Sequence, residues 1–107
     1  MGAMGEVDEP GTLRLTLPEV LHALSDPTRL AVVAQLAGAG ELSCGTLHVS
    51  VAKSTLSQHL RVLREAGVTR TRRDGNQRWL SLRRDDLDLR FPGLLESVLG
   101  SVARAER

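Results

Sequence analysis

The sequence predicts a small, mainly α-helical domain carrying one β-hairpin. Three observations lead there: the length of the chain, an apolar period that changes once along it, and turn residues placed where it changes. At 107 residues and 11.6 kDa the chain suits one domain around one core. With 41% hydrophobic and 25% charged residues it is globular rather than disordered. A domain of this size buries only about two-thirds of its unfolded surface, so association into a dimer is expected.

Each element has its own signal. Leu17, Val20, Leu21 and Leu24 recur at helical spacing behind Pro18 and predict an amphipathic first helix. Asp26-Pro27 is a cap followed by proline at the first helical position. It opens a second helix with Leu30, Val33, Ala34 and Ala37 on its apolar face, stopped by Gly38-Ala39-Gly40. Ser43 caps a short third helix over Cys44–Val49, weakened by Gly45. The fourth is the best defined: Ser54 at the N-cap, Leu56, Leu60, Leu63 and Ala66 inward, and Gly67 as the stop.

After Gly67 the period becomes two. Val68–Arg73 and Gln77–Leu82 flank Asp74-Gly75, a turn pair of type I′, with a loop lengthened by Asn76 as the alternative. Leu80 and Leu82 supply the buried face of this hairpin, and Trp79 is read as a cover for the core. A last helix follows from Pro92, with Leu94, Leu95, Val98, Leu99 and Val102 along one side. The count is about five helices. Residues 1–10 read as a disordered or tag-derived N-terminus and residues 11–107 as the domain.

Charge is unevenly distributed. Residues 1–26 carry one basic residue against five acidic ones, whereas residues 53–78 carry seven basic against two acidic. Such a basic cluster is the footprint of a polyanion-binding surface, against the plain alternative of a solvated face. Aromatics are 2% of the chain, too few to stack single-stranded bases. Double-stranded RNA is disfavoured because its narrow major groove excludes a helix. The single cysteine, Cys44, has no intrachain partner, and the absence of a long apolar stretch predicts a cytoplasmic protein without a membrane segment. No nucleophile–base–orienter set, carboxylate pair or glycine-rich phosphate loop can be assembled, so no enzyme and no cofactor are expected.

Helices followed by a basic hairpin, with the most polar helix directly before it, is the order of a winged helix-turn-helix. Three runs carry a more specific likeness: Leu24-Ser-Asp-Pro-Thr-Arg-Leu30, Lys53-Ser-Thr-Leu-Ser-Gln-His-Leu-Arg-Val-Leu-Arg-Glu-Ala-Gly-Val68 and Thr71-Arg-Arg-Asp-Gly75. Over about residues 17–103 the chain resembles the ArsR/SmtB family of bacterial winged-helix repressors. The resemblance implies a repressor with Lys53–Arg64 in the major groove of operator DNA and the 70–78 hairpin on the adjacent minor groove or backbone. It also implies a homodimer paired through its terminal helices, which makes Leu17, Val20, Leu21, Leu24, Leu94, Leu95, Val98, Leu99 and Val102 the candidate dimer interface. A dimer would set two recognition helices about 34 Å apart on a pseudo-palindromic operator.

The residue chemistry agrees with that placement. Lys53, Ser54, Thr55, Ser57 and Gln58 occupy the half of the helix that enters a groove, and Gln58 is the first choice for base readout because an amide bonds adenine bidentately. Ser54, Ser57 and Arg61 suit phosphates. His59, Arg64, Arg70, Arg72, Arg73 and Arg78 complete the candidate DNA-binding set, although His59 beside the leucine stripe also suits a structural role.

Many relatives of the resembled kind sense metals through Cys-x-Cys. Here Glu41-Leu-Ser-Cys-Gly-Thr46 has Ser43 and Gly45 where the paired thiolates would stand, and residues 85–107 contain neither His nor Cys, so no metal site is expected. Asp85, Asp86 and Asp88 lack the glycine spacing of a calcium loop and read as an acidic helical turn. Cys44 and His48, four apart, share a face if that stretch is helical. The main reading is a buried structural thiol, with a Cys44 redox switch as the sharper alternative. A winged-helix protein-interaction module without DNA binding is the competing function, and the effector is not legible.

Overall fold

The local signals around residues 16–30 organise one side of the molecule. In the computed structural model, which describes residues 9–105, α1 (Leu17–Ala23) starts at Thr16, whose hydroxyl accepts the Glu19 N–H. Asp26 caps α2 (Pro27–Ala39), its carboxylate accepting the N–H groups of Thr28 at 2.8 Å and Arg29 at 3.1 Å. Those bonds, led by the one from Arg29, hold the Asp26 carboxyl below the ordinary range. α2 runs through Gly38 and Ala39 and ends only at Gly40, whose φ of +84° a side chain would disfavour. Gly38 alone does not stop a helix whose Val32, Val33 and Leu36 are held in the core.

A short strand, β1 (Glu41–Ser43), follows and was not expected. Three residues give too little alternation to be read from sequence. The short helix expected over Cys44–Val49 contracts to a single 3-10 turn, Cys44–Thr46, without a side-chain cap from Ser43. The Ser43 hydroxyl reaches Thr46 Oγ1 instead, and Leu47 is already extended. Cys44 and His48 therefore share no helical face. His48 is fixed through its backbone, donating its N–H to Gln35 Oε1 and accepting from Gln35 Nε2, both at 2.9 Å.

α3 (Lys53–Ala66) ends at Gly67, with φ +87° and a Val68 N–H to Leu63 C=O bond of 2.9 Å. A Cβ on Gly67 would overlap the Leu15 side chain, so glycine is required there twice over. The hairpin is β2 (Thr69–Asp74) and β3 (Gln77–Leu82), with β3 central in a three-stranded antiparallel sheet of order β1-β3-β2. Asp74 pairs with Gln77, so the two-residue loop is Gly75-Asn76 rather than Asp74-Gly75. Only Gly75 has a positive φ, which is the type II′ pattern and not type I′.

Two helices close the chain, α4 (Arg84–Arg90) and α5 (Leu94–Ala105). α4 was read only as an acidic turn, so the expected total of five helices is met with a different membership. The core joins Leu15, Val20, Val32, Val33, Leu36, Leu63, Val68, Leu80, Leu87 and Leu95, drawing α1, α2, α3, β3, α4 and α5 onto one apolar centre. Trp79, one residue out of phase with Leu80, lies on the opposite face of the sheet, where it is half-buried and does not cover the core. No helix of the described residues is long and apolar enough to cross a membrane.

The expected N-terminal tail, 1–10, falls for its first eight residues outside the described part. Glu9 and Pro10 lie against the base of the hairpin. Glu9 accepts the Thr71 N–H at 2.7 Å, and the Pro10 carbonyl accepts from Arg83 at 2.6 Å.

Candidate nucleic-acid interface

α3 presents a polar half because its apolar residues are spaced for one side only. Leu63 and Ala66 are buried and Leu56 and Leu60 half-buried, which leaves Lys53, Ser54, Thr55, Ser57, Gln58 and Arg61 exposed. Its start differs from the sequence expectation. Ala52 is the N-cap, no side chain caps the helix, and Ser54 stands one turn-position inside it. The first-turn N–H groups thus lack a side-chain acceptor, the first turn holds no acidic residue, and Lys53 stands among them, all favourable to a phosphate.

Arg29 shows what the Ser-Asp-Pro-Thr-Arg run does. Its buried guanidinium donates to the Ala23 carbonyl at 2.7 Å and the His22 carbonyl at 3.1 Å, closing the open end of α1 while Asp26 closes the start of α2. Its third contact is His59 Nδ1 at 3.1 Å. A guanidinium only donates, so Nδ1 accepts and the ring proton sits on Nε2. The Asp26 carboxylate is 3.8 Å from the same nitrogen, and the shorter Arg29 bond governs the ring's orientation. His59 therefore ties α3 to the α1–α2 corner rather than facing outward with Gln58. Sequence reasoning did not single out Arg29; its signal was a lone arginine three residues after a cap, within reach of the preceding helix's last carbonyls.

The hairpin arginines fall on two faces. Arg70 and Arg72 point away from α3 and are paired with carboxylates: Arg70 with Glu9 at 3.2 Å and Asp86 at 3.5 Å, Arg72 with Glu41 through two bonds of 3.0 and 3.3 Å. Arg72 also lies over the Trp79 ring, 5.8 Å from its centroid. Arg73 and Arg78 are directly opposite each other in the ladder, on the face continued by Thr71 and Leu80 toward α3. Like charges so placed repel. Among the described residues neither has a carboxylate within salt-bridge distance, and the same holds for Lys53 and Arg64. Arg61 pairs with Glu65 at 2.9 Å in an exposed i,i+4 contact that competes weakly with a ligand.

Between α3 and the hairpin is a cleft of about 280 Å³ bordered by Lys53, Ser57, Arg64, Arg78 and Cys44. Arg64 lines this cleft and is only partly exposed, so this arginine belongs to the cleft wall rather than to the outer surface of α3, and its Nε is shut off from solvent without a hydrogen-bond partner. Cys44 is half-buried, and burial pushes its thiol above the ordinary range despite the opposing pull of Arg78. A raised thiol pKa leaves less thiolate at neutral pH and so lowers the reactivity a redox switch would need. Among the described residues no three His, Cys, Asp or Glu side chains are grouped to hold a metal ion.

The dimer candidates separate by burial. Val20, Leu24 and Leu95 are spent on the chain's own core, which leaves them no surface to share. Leu17 and Leu21 are 43% and 46% exposed, and Leu94, Val98, Leu99 and Val102 are half-buried.

A three-helix corner, a polar third helix and a basic antiparallel wing define a winged helix-turn-helix DNA-binding protein. Known proteins agree: residues 24–72 match the family model described as a helix-turn-helix domain. The chain is 42% identical over 83 residues to the uncharacterized HTH-type transcriptional regulator YceK of Bacillus subtilis, covering 75% of this chain and 83% of that protein. It is 38% identical over 74 residues to the arsenical resistance operon repressor of Staphylococcus aureus, 67% and 70% of the two chains. The crystal structure of an ArsR family transcriptional regulator superposes with a TM-score of 0.63 at 26% identity, over 76% of this chain and 84% of that one. The chain belongs to the ArsR family of winged helix-turn-helix transcriptional regulators.

Proposed function

We propose that this protein is a homodimeric repressor that reads a pseudo-palindromic operator with the exposed N-terminal half of α3 and grips the flanking backbone with the α3-facing side of its wing. One observation carries the reading: Lys53, Arg64, Arg73 and Arg78 stand together on one side of the fold without carboxylate partners among the described residues, while the arginines on the far side of the wing are neutralised. Unneutralised guanidinium groups held close together repel one another, and a phosphate backbone is the ligand that relieves this. Gln58 is the base-reading residue, with Lys53, Ser54, Thr55, Ser57, Arg61, Arg73 and Arg78 on phosphates and neighbouring bases.

The dimer is formed by the apolar surface left over after folding, Leu17 and Leu21 on α1 with Leu94, Val98, Leu99 and Val102 on α5. Its two recognition helices fall about one DNA turn apart. Release from the operator is the work of an effector.

The experiment is selection of bound fragments from random genomic duplexes, repeated at two salt concentrations. One enriched inverted repeat with affinity falling steeply with salt is the expected result. Salt-insensitive binding without an enriched sequence contradicts the reading and favours an interaction module.

A further inference from the structure

We propose that the cleft between α3 and the wing is a binding site for a small organic anion, one oxyanion group on a short apolar body, and that filling it displaces DNA. This deepens the repressor reading by naming its effector class, and it rests on that reading for its regulatory half only.

The cleft's volume of about 280 Å³ lies near the lower end of small-ligand pockets, which run from roughly 300 Å³. Its walls divide by chemistry. Lys53, Arg64 and Arg78 give three cations with no carboxylate within pairing distance among the described residues, and Leu56, Leu60 and Leu80 give an apolar side. A site of this kind orients an anionic head at the guanidinium groups and buries the body against leucine.

Arg64 distinguishes the cleft from a surface patch. It lines the cleft while only partly exposed and has no carboxylate within pairing distance among the described residues, so its charge is held at the wall without a counter-ion. An oxyanion seated in the cleft supplies that counter-ion. Arg78 connects the site to DNA, because it lines the cleft and is also an exposed wing cation opposite Arg73. An anion bound to Lys53 and Arg78 neutralises two of the groups that the operator backbone needs.

The test is a titration of the protein with phenyl phosphate, followed by NMR at the backbone amides of α3 and the wing that border the cleft, with inorganic phosphate and phenol as parallel arms. A saturable shift is expected, with phenyl phosphate binding more tightly than either fragment. Arg64→Gln and, independently, Arg78→Gln should each weaken it about tenfold, the loss of one charge-assisted contact. Arg78 is exposed, so its variant keeps the test valid where Arg64→Gln disturbs α3. A shift that never saturates, an affinity indifferent to both substitutions, or phenol binding as well as phenyl phosphate overturns the site.

A duplex arm separates the two proposals. DNA bound in the absence of phenyl phosphate and released at its saturation supports the regulatory role, whereas DNA retained at saturation overturns it. DNA that never binds contradicts the repressor reading, and the competitive role with it, while the NMR arm still decides whether the anion site exists.

Discussion

The two faces of the wing carry similar numbers of arginines and treat them in opposite ways. On the face away from α3, Arg70 is held by Glu9 and Asp86, and Arg72 by Glu41 with Trp79 beneath it. On the face toward α3, Arg73 and Arg78 oppose each other across the ladder with no carboxylate in reach among the described residues. We read the first set as architectural and the second as the part available to a ligand. Counting arginines shows that a basic surface exists; their partners show which part of it is available.

Breaking the open face should have the largest effect. The double substitution Arg73→Ala/Arg78→Ala is expected to weaken duplex binding roughly 30- to 100-fold at physiological salt, with thermal stability unchanged or slightly raised, measured by fluorescence anisotropy and calorimetry. Breaking the paired face should do the reverse. Asp86 accepts from Thr12, Arg83 and Arg70, and Arg83 is almost fully buried. Asp86→Ala leaves that charge with only the Pro10 carbonyl, so a loss of about 2–3 kcal/mol is expected in urea unfolding, with DNA affinity of the folded protein within about threefold of wild type.

The same carboxylate gives a pH signature. The Thr12 hydroxyl foremost, then Arg83 and Arg70, lower the Asp86 pKa from 3.8, so the unfolded chain takes up its proton first as pH falls. The stability advantage of wild type over Asp86→Asn is therefore full at neutral pH and lost progressively as pH drops below about 4 through the lowered folded value. Denaturation midpoints of the two proteins should converge there, and a gap that stays constant into strong acid would contradict the assignment. The smallest effect sharpens the contrast. Glu41→Gln removes one negative charge beside the wing without adding a phosphate contact, which should raise DNA affinity two- to threefold through the overall field while stability stays within about 0.5 kcal/mol.

Much of this was legible in the sequence, and the misses share a cause. Asp26-Pro27, Gly67 and the switch from helical to alternating period are local signals, and the elements they predict are present. β1 is different: Glu41–Ser43 is a strand only because β3 is beside it, and no three-residue window carries that information. Ser54 failed as a cap because serine is favoured at several first-turn positions, and the preceding backbone, extended at Ala52, decided the start.

At the candidate site, residue type and position located the polar helix and the basic hairpin, but partners were invisible. Glu9 and Glu41 lie 61 and 31 residues from the arginines they neutralise, and Arg29 is 30 from His59. Such pairings are products of the tertiary fold. The dimer stripe was overread for the same reason, since helical spacing put Leu21 beside Val20 and Leu24 without showing which of them the core would take.

The most direct test is the salt dependence of duplex affinity in two double variants. Arg73→Ala/Arg78→Ala should reduce the slope of log K against log salt by about 2, near 0.9 for each phosphate contact removed, and Arg70→Ala/Arg72→Ala should leave it at the wild-type value. Equal reductions in both variants, or a reduction confined to the second, would contradict the division of the wing into an architectural face and a DNA-binding face.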